Sequence, residues 1–494
     1  MGRTAARNLP IVSNWSELHS IGLAPRGGQF PRGGTGVAPT VDPDWLAATL
    51  AALVEIHHVP GAQLAVHSGG VTVAVEIGEL EHGSGIPVTR QTAFPTGSLC
   101  KVATATLAMI LVGDGDLELD APLEEHLPEL DGLGSELTLS QLLSHTSGLP
   151  SSPDTQEWPP LSLGRYVRKH CGWENLILPP GTAFSYSNLN YVVIGHLIET
   201  ITRMNWSEAV ESIVLRPLDI EATMVGAAVR APFGRLIATG HSVNAITGRT
   251  RPVEQSIVPA ETPGVGLAMS AVDLVALGRM HIGSGFPQLL PAAYAEQMRE
   301  AIPGVEPFGL ADGWGAGLAV FEDQITTWVG HDGNANGTSC YLRIDPANEY
   351  VVALTTSSNT GSSMWEELRN KSGLANPPLA DQRDGSFRTA TCPEEFVGSY
   401  VNGPTEFLIT TRGEGDLFLE MGGELVARLA FYDDRDFLIQ DPTSGQGHQA
   451  GRFLRDSITQ QVEFVQIGGR LAPRRGLAVP EARSPSEFGS RVSV

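Results

Sequence analysis

The chain has 494 residues, more than one hydrophobic core usually serves, so two domains are expected. Its 55 acidic against 32 basic residues give a formal charge of −23, which argues against nucleic acid or an anionic membrane surface as partner. The four cysteines (Cys100, Cys171, Cys340, Cys392) form no C-x-x-C pair, so free thiols of a reducing compartment are expected rather than a disulfide frame or a zinc site.

Residues 1–41 are rich in Gly, Pro, Arg and Ser without a sustained period and read as a loose arm. Arg3 and Arg7 are followed by no apolar stretch of the export-signal kind, and no run of eighteen apolar residues occurs anywhere. Neither an export signal nor a membrane span is expected, and the cytoplasm is the expected location. Asp42-Pro43-Asp44 opens a helix, with Asp42 as N-cap, Pro43 in the first helical position, and Leu46, Leu50, Leu53 and Ile56 at helical spacing. Gln63 to His67 and Val71 to Ile77, joined by Ser68-Gly69-Gly70, give a hairpin signal. Helices are predicted from Ser98 to Val112, within Leu137 to Leu149 before a turn, over Tyr191 to Thr202 and over Met269 to Ile282. Trp314 to Phe321, Ile325 to Val329, Thr338 to Ile344 and Tyr350 to Thr356 read as strands with short connections, hence antiparallel, and Ser362 to Asn370 as a closing helix. Residues 42–375 therefore read as one α+β (mixed α/β) domain whose sheet is assembled from both ends of the segment. Residues 376–388 suit a linker. Over 389–475 the period changes to two, in seven short strands from Phe396 to Ile467, which suggests a small antiparallel barrel with no catalytic cluster of its own. Residues 476–494 read as a polar tail.

Ser98 and Lys101 stand three residues apart at the start of an apolar run, on one helical face. A serine is a poor nucleophile without an adjacent base. A lysine serves as that base where desolvation or nearby positive charge lowers its pKa. The chain has only three lysines (Lys101, Lys169, Lys371), and Lys101 alone follows a serine by three. A second candidate is Phe184-Ser185-Tyr186-Ser187-Asn188, just before a helix: a tyrosine hydroxyl can relay a proton, and an asparagine two residues on can hold a substrate amide. Tyr400-x-Asn402 repeats the spacing inside the barrel, so the pattern by itself is not specific. A third is Val329-Gly330-His331-Asp332-Gly333-Asn334, between two strands. Gly333 would let substrate lie against the strand. The N–H of Asn334, with that of Ser98, would stabilise an oxyanion. His331 would hydrogen-bond substrate or tune the site. His67-Ser68-Gly69 and His281-Ile282-Gly283 share the spacing, but only His331 opens a strand of the flanking sheet. His145 reads as structural and Cys100 as core. No cofactor or metal is expected, since no phosphate loop, EF-hand or H-E-x-x-H appears.

With Ser98-x-x-Lys101, Tyr186-x-Asn188 and His331-x-Gly333 in this order, residues 42–375 resemble the serine β-lactamase and penicillin-binding protein superfamily. Phe94-Pro95-Thr96-Gly97, His145-Thr146-Ser147-Gly148-Leu149 and Gly313-Trp314-Gly315-Ala316-Gly317 add to the likeness. The resemblance implies a three-layer fold with the site between an antiparallel sheet and a helical domain. It implies Ser98 as acylated nucleophile, Lys101 as its base or as the charge that sets the base, and Tyr186 as proton shuttle to the leaving group. Asn188 would bind an acyl-side amide, and the N–H groups of Ser98 and Asn334 would form the oxyanion hole. His331 stands where Lys-Thr-Gly is better known; it supplies less positive charge for a β-lactam carboxylate. This departure resembles the esterase, D-aminopeptidase and acyltransferase branches. The added β-domain is similar to the lipocalin-like barrel of D-aminopeptidases and of penicillin-binding-protein-type thioesterases that release or cyclise nonribosomal peptides.

The expected activity is thus that of a serine hydrolase or acyltransferase. It would cleave an ester, thioester or amide and pass the acyl group to water or to an amine or alcohol, in small-molecule or peptide secondary metabolism such as antibiotic biosynthesis. A D-aminopeptidase or DD-carboxypeptidase-type peptidase is the runner-up. A non-catalytic binding protein, with the barrel gripping a lipid or peptide, is the contrasting class. The loops around 150–180 and 240–265 are expected to shape the pocket, but they carry no motif.

Overall fold

The computed structural model describes residues 41–153, 160–225, 235–283, 285–323, 326–375, 387, 393–413, 415–440, 447–456 and 458–476. Residues 1–40 of the arm, all of the linker but Phe387, Cys392 and the tail beyond 476 lie outside them.

The sheet draws on both ends of the first domain. Its strands are β1 (Gly61–Ser68), β2 (Val71–Gly78), β3 (Gly313–Trp314), β4 (Ala319–Glu322), β5 (Thr327–Ala335), β6 (Thr338–Asp345) and β7 (Tyr350–Thr356). They lie in the order β2-β1-β7-β6-β5-β4-β3, every pair antiparallel. Side chains alternate between two cores, as a strand buried on both faces requires. Leu64, Val66, Val352 and Leu354 face a layer made by α1 (Pro43–Ile56) and α5 (Gly361–Ser372). Ala65, Leu342, Val351 and Ala353 face the helical domain, where α2 (Cys100–Gly113), α3 (Asn188–Thr202) and α4 (Ala271–Gly278) lie. Local sequence sets the helix starts: the Asp42 carboxylate accepts the Asp44 N–H, and Ser270 with Asp273 forms a capping box at α4.

Some boundaries differ from the periodicity reading. The predicted strand over 314–321 is two short strands folded on each other, because Gly315-Ala316-Gly317 makes a turn with Gly317 at φ 96°. Helix α3 starts at Asn188, three residues before the apolar spacing begins. Met269, predicted as helix, instead pairs with Phe94 in a two-residue strand.

The second domain is an antiparallel barrel of eight strands: β8 (Gly398–Asn402), β9 (Thr405–Arg412), β10 (Asp416–Met421), β11 (Glu424–Phe431), β12 (Asp436–Gln440), β13 (Gly447–Arg455), β14 (Val462–Ile467) and β15 (Arg470–Pro473). A bridge between Tyr400 and Arg474, with Arg475 N–H donating to Ser399 O at 2.7 Å, draws the first and last strands together. Phe396, Phe431, Phe437 and Phe453 fill the interior, each ring within 6.2 Å of another. The eighth strand escaped the sequence reading: it has four residues, ends in proline and follows the Gly468-Gly469 turn.

The barrel sits against the first domain. Arg452 bridges to Glu306 at 2.8 Å and donates through Nε to Gln466, whose amide donates to the Phe184 and Glu306 carbonyls. Leu454, Phe464 and Leu471 bury apolar surface with Ile177 and Leu178.

Candidate active site

Helix α2 is buried along nearly its whole length, and Lys101 is its only charge. Burying an ammonium is costly unless it is paired and hydrogen-bonded. Its three donors meet three acceptors: Asn188 Oδ1 at 2.8 Å, Gly264 O at 3.1 Å and Ser98 Oγ at 3.2 Å. Ser98 itself lies in the 3₁₀ turn Gly97–Leu99 that leads into α2, so its hydroxyl stands above the lysine. Cys100 points away, toward the Thr262 and Pro263 carbonyls, and burial pushes its thiol up to about 11.

Tyr186 and Asn188 arrive on a stretch with no regular structure until α3 begins. Four consecutive backbone N–H groups there each bond outside the stretch. Ser185 donates to His145 O (2.8 Å), Tyr186 to Gly469 O (2.9 Å), Ser187 to His145 Nδ1 (3.1 Å) and Asn188 to Ser151 O (2.8 Å). The His145 ring, fully buried and held neutral by burial, lies against the Tyr186 ring at 4.3 Å between centroids. It supports the tyrosine through this ring contact.

His331 joins this cluster from β5. Its Nδ1 lies 2.6 Å from Asp332 O, which fixes the proton on Nδ1, and its Nε2 faces the Tyr186 hydroxyl at 3.4 Å. Burial, then the charge of Lys101, lowers its pKa to about 4. It is uncharged at neutral pH.

The backbone of β5 lies directly on the nucleophile turn. A Cβ on Gly97, at φ 53°, would overlap the Asn334 carbonyl, and one on Gly333 would overlap the Thr96 carbonyl and approach Leu99 N. Gly333 was expected to leave room for substrate. The structure gives that room to the Thr96–Leu99 backbone instead, because side-chain-free positions on both partners are what allow a turn and a strand to touch. The same contact brings the Asn334 backbone against Gly97, the residue next to Ser98.

Two site residues escaped the sequence reading. Glu261 accepts from Asn188 Nδ2 at 3.5 Å, and burial raises its pKa against the pull of Ser152, Lys101, Asn188 and Tyr166. It falls in the 240–265 loop, where no motif marks it. Arg470 comes from the barrel's last strand. Its guanidinium lies 5.1 Å from the Tyr186 ring centroid, and among the described residues it has no carboxylate partner. The Gly-Gly-Arg turn before a short apolar strand was the available signal. The barrel, read from the sequence as carrying no catalytic cluster of its own, thus places one cation beside Tyr186.

The described residues contain no cluster of acidic, histidine or cysteine side chains fit to hold a metal, and no helix long and apolar enough to cross a membrane.

A serine one turn above a buried ammonium, with a tyrosine entering from a second element and a sheet strand alongside, is an arrangement for acyl chemistry on serine. The chain belongs to the Beta-lactamase family, which it matches over residues 46–373, and is a serine hydrolase of that family. It is 32% identical over 325 residues to "Penicillin-binding protein 4" of Amycolatopsis lactamdurans, covering 63% of this chain and 84% of that protein. It is 27% identical over 324 residues to "Unguisins hydrolase ungD'" of Aspergillus campestris, covering 62% and 60%. Solved structures of SurE, alone and with D-Leu, superpose with TM-scores of 0.77 and 0.75 at 36% and 35% identity. They cover 87% of this chain and 98% and 99% of SurE. The likeness to SurE thus extends through the barrel.

Proposed function

We propose that the chain carries acyl groups on Ser98, taking them from a peptide ester, thioester or amide whose acyl residue has the D configuration. It passes them to water or to an amine or alcohol acceptor, in peptide or small-molecule secondary metabolism. The observation that carries this reading is the fully buried Lys101, held between the Ser98 hydroxyl and Asn188. Ser98 Oγ attacks the acyl carbon as its proton passes to the Lys101–Tyr186 pair, which reacts with one member deprotonated, the Lys101 amine or the Tyr186 phenolate. The bond to the leaving group breaks as that group takes the proton from Tyr186. The backbone N–H groups of Ser98 and Asn334 receive the charge that builds on the acyl oxygen. Water or the acceptor then attacks, its proton enters the same relay, and Ser98 departs with a proton. Asn188 holds an acyl-side amide. The D-residue rests on the likeness to SurE, a structure of which contains D-Leu.

With His331 neutral, Arg470 is the cation available to an anionic substrate group. That also keeps a DD-carboxypeptidase-type reaction as the second reading, since such a substrate ends in a carboxylate. The binding-protein reading is weakened by the barrel, whose interior is filled with aromatic rings.

A labelled fluorophosphonate followed by intact-mass measurement tests the acyl-serine core. One adduct is expected on the wild type and none on Ser98→Ala; no adduct on either would overturn the reading. Thioesters of a short peptide ending in D-Leu or L-Leu, supplied with and without amines, test the rest. Free acid in every case would remove the transferase half, and equal turnover of both configurations would remove the D preference.

A further inference from the structure

The second Tyr-x-Asn of the sequence has a use. Asn402, at the end of β8, is fully buried and has every polar group of its side chain engaged. Its Oδ1 accepts the Ser151 N–H at 2.7 Å, and its Nδ2 donates to Leu471 O at 2.8 Å and to Ser185 Oγ at 3.3 Å. Ser185 Oγ also accepts the Leu471 N–H at 3.2 Å. One barrel side chain therefore ties together three segments: the last barrel strand, the loop at 151 and the stretch that carries Tyr186.

Each tie leads to the site in one more step. Ser151 O accepts the Asn188 N–H, and Ser151 Oγ donates to Tyr186 O at 3.3 Å. Ser152 Oγ receives Asn188 Nδ2 at 3.4 Å, and the neighbouring barrel turn presses on Ser152, since a Cβ on Gly403 would overlap its carbonyl. The stretch 184–187 has no ladder or helix of its own to fix it. A buried amide with all its groups paired specifies one arrangement, and the loss of one partner leaves the others unpaired.

We propose that Asn402 is a positioning residue: from the barrel, it sets the placement of Tyr186 and Asn188 over Ser98. This rests on the acyl-serine reading above and gives the barrel a role in catalysis through shape, beside the cation that Arg470 brings.

The test uses the full chain with Asn402→Ala, Asn402→Asp and, as a control at the same domain contact, Glu306→Gln. The last removes the ion pair to Arg452 but touches neither Ser151 nor Ser185. The rate of fluorophosphonate labelling is expected to fall at least tenfold in both Asn402 variants and to stay within twofold of wild type in Glu306→Gln. Hydrolysis of the p-nitrophenyl and ethyl esters of N-acetyl-D-leucine gives a second readout. A misplaced Tyr186 hurts the ethyl ester more, since ethoxide needs a proton to leave and p-nitrophenolate does not. A tenfold larger loss on the ethyl ester is expected. Circular dichroism identifies any variant that fails to fold, and Asn402→Asp, which keeps the size and the acceptor to Ser151, then carries the test. Absence of label on the wild type would overturn the acyl-serine reading itself. Normal labelling in folded Asn402 variants, or equal losses in Glu306→Gln, would overturn the positioning role while leaving that reading intact.

Discussion

His331 and Tyr186 meet as an acceptor and a donor, not as a cation and its partner. The imidazole commits Nδ1–H to the Asp332 carbonyl and turns its Nε2 lone pair toward the phenol. A lysine in this place would bring a third positive charge beside Lys101 and Arg470. The neutral ring instead holds the hydroxyl in one direction at no electrostatic cost.

A pH dependence of stability follows. The folded pKa of His331, about 4, lies below its ordinary value of 6.5, so the unfolded chain binds more protons between those limits. Its contribution is fully present above pH 6.5 and is lost as pH falls toward 4, by roughly 3 kcal/mol at 1.36 kcal/mol per pKa unit. His145 and His281, also buried and lowered, add to the same slope. His331→Gln should flatten the fall of Tm between pH 6.5 and 4 without abolishing it. Parallel melting curves for the two proteins across that range would show that the ring is not held neutral.

Arg470→Gln tests the barrel's cation. The guanidinium has no ion-pair partner among the described residues, and burial lowers its pKa from the ordinary value. A substrate whose anionic group it holds should show KM raised roughly 10–100-fold, the range of a charge-assisted hydrogen bond worth about 1.5–3 kcal/mol. A neutral acyl ester should be affected less than threefold. Equal losses on both substrates would assign Arg470 to the support of Tyr186 rather than to substrate.

Glu261 gives the opposite sign from His331. Burial raises this carboxyl above its ordinary 4.5, so the native state binds more protons than the unfolded chain above that value. Stability falls as pH rises from about 4.5 through the raised pKa. Glu261→Gln should therefore match wild type near pH 4 and melt higher at pH 8. A lower melting temperature at pH 8 would mean that the bonds from Asn188 and Ser152 outweigh the cost of burial.

Much of this architecture was legible in the chain because the signals were local. Asp42 caps the helix it was expected to cap, and β1, β2, β6 and β7 alternate as two-faced strands do. Ser98 and Lys101 were readable together because three residues on a helix is a contact distance. The structure also brings in Tyr186, Asn188 and His331, whose order in the sequence carries no distance information. Glu261 and Arg470 were not legible, since each reaches the site through a tertiary contact with no local pattern. Asn402 was visible only as a repeated spacing that matched the wrong chemistry. Gly333 was legible as a close approach, but not as an approach of the nucleophile's own turn.

Gly97→Ala tests that approach directly. The left-handed conformation at φ 53° costs an alanine about 1–2 kcal/mol wherever it occurs. At Gly97 the new Cβ also meets the Asn334 carbonyl, so the turn and β5 must separate. Gly70 provides the comparison, because it too has positive φ (78°) but open space where a Cβ would go. Gly70→Ala should lose only the conformational part and keep full activity. Gly97→Ala should lose more stability and, by drawing the Asn334 N–H away from Ser98, roughly 10²–10³-fold in kcat, the effect of one oxyanion donor. Thermal melts and steady-state rates on the p-nitrophenyl ester measure both. A Gly97→Ala enzyme with unchanged kcat would rule out the Asn334 N–H as a donor held in place by this contact.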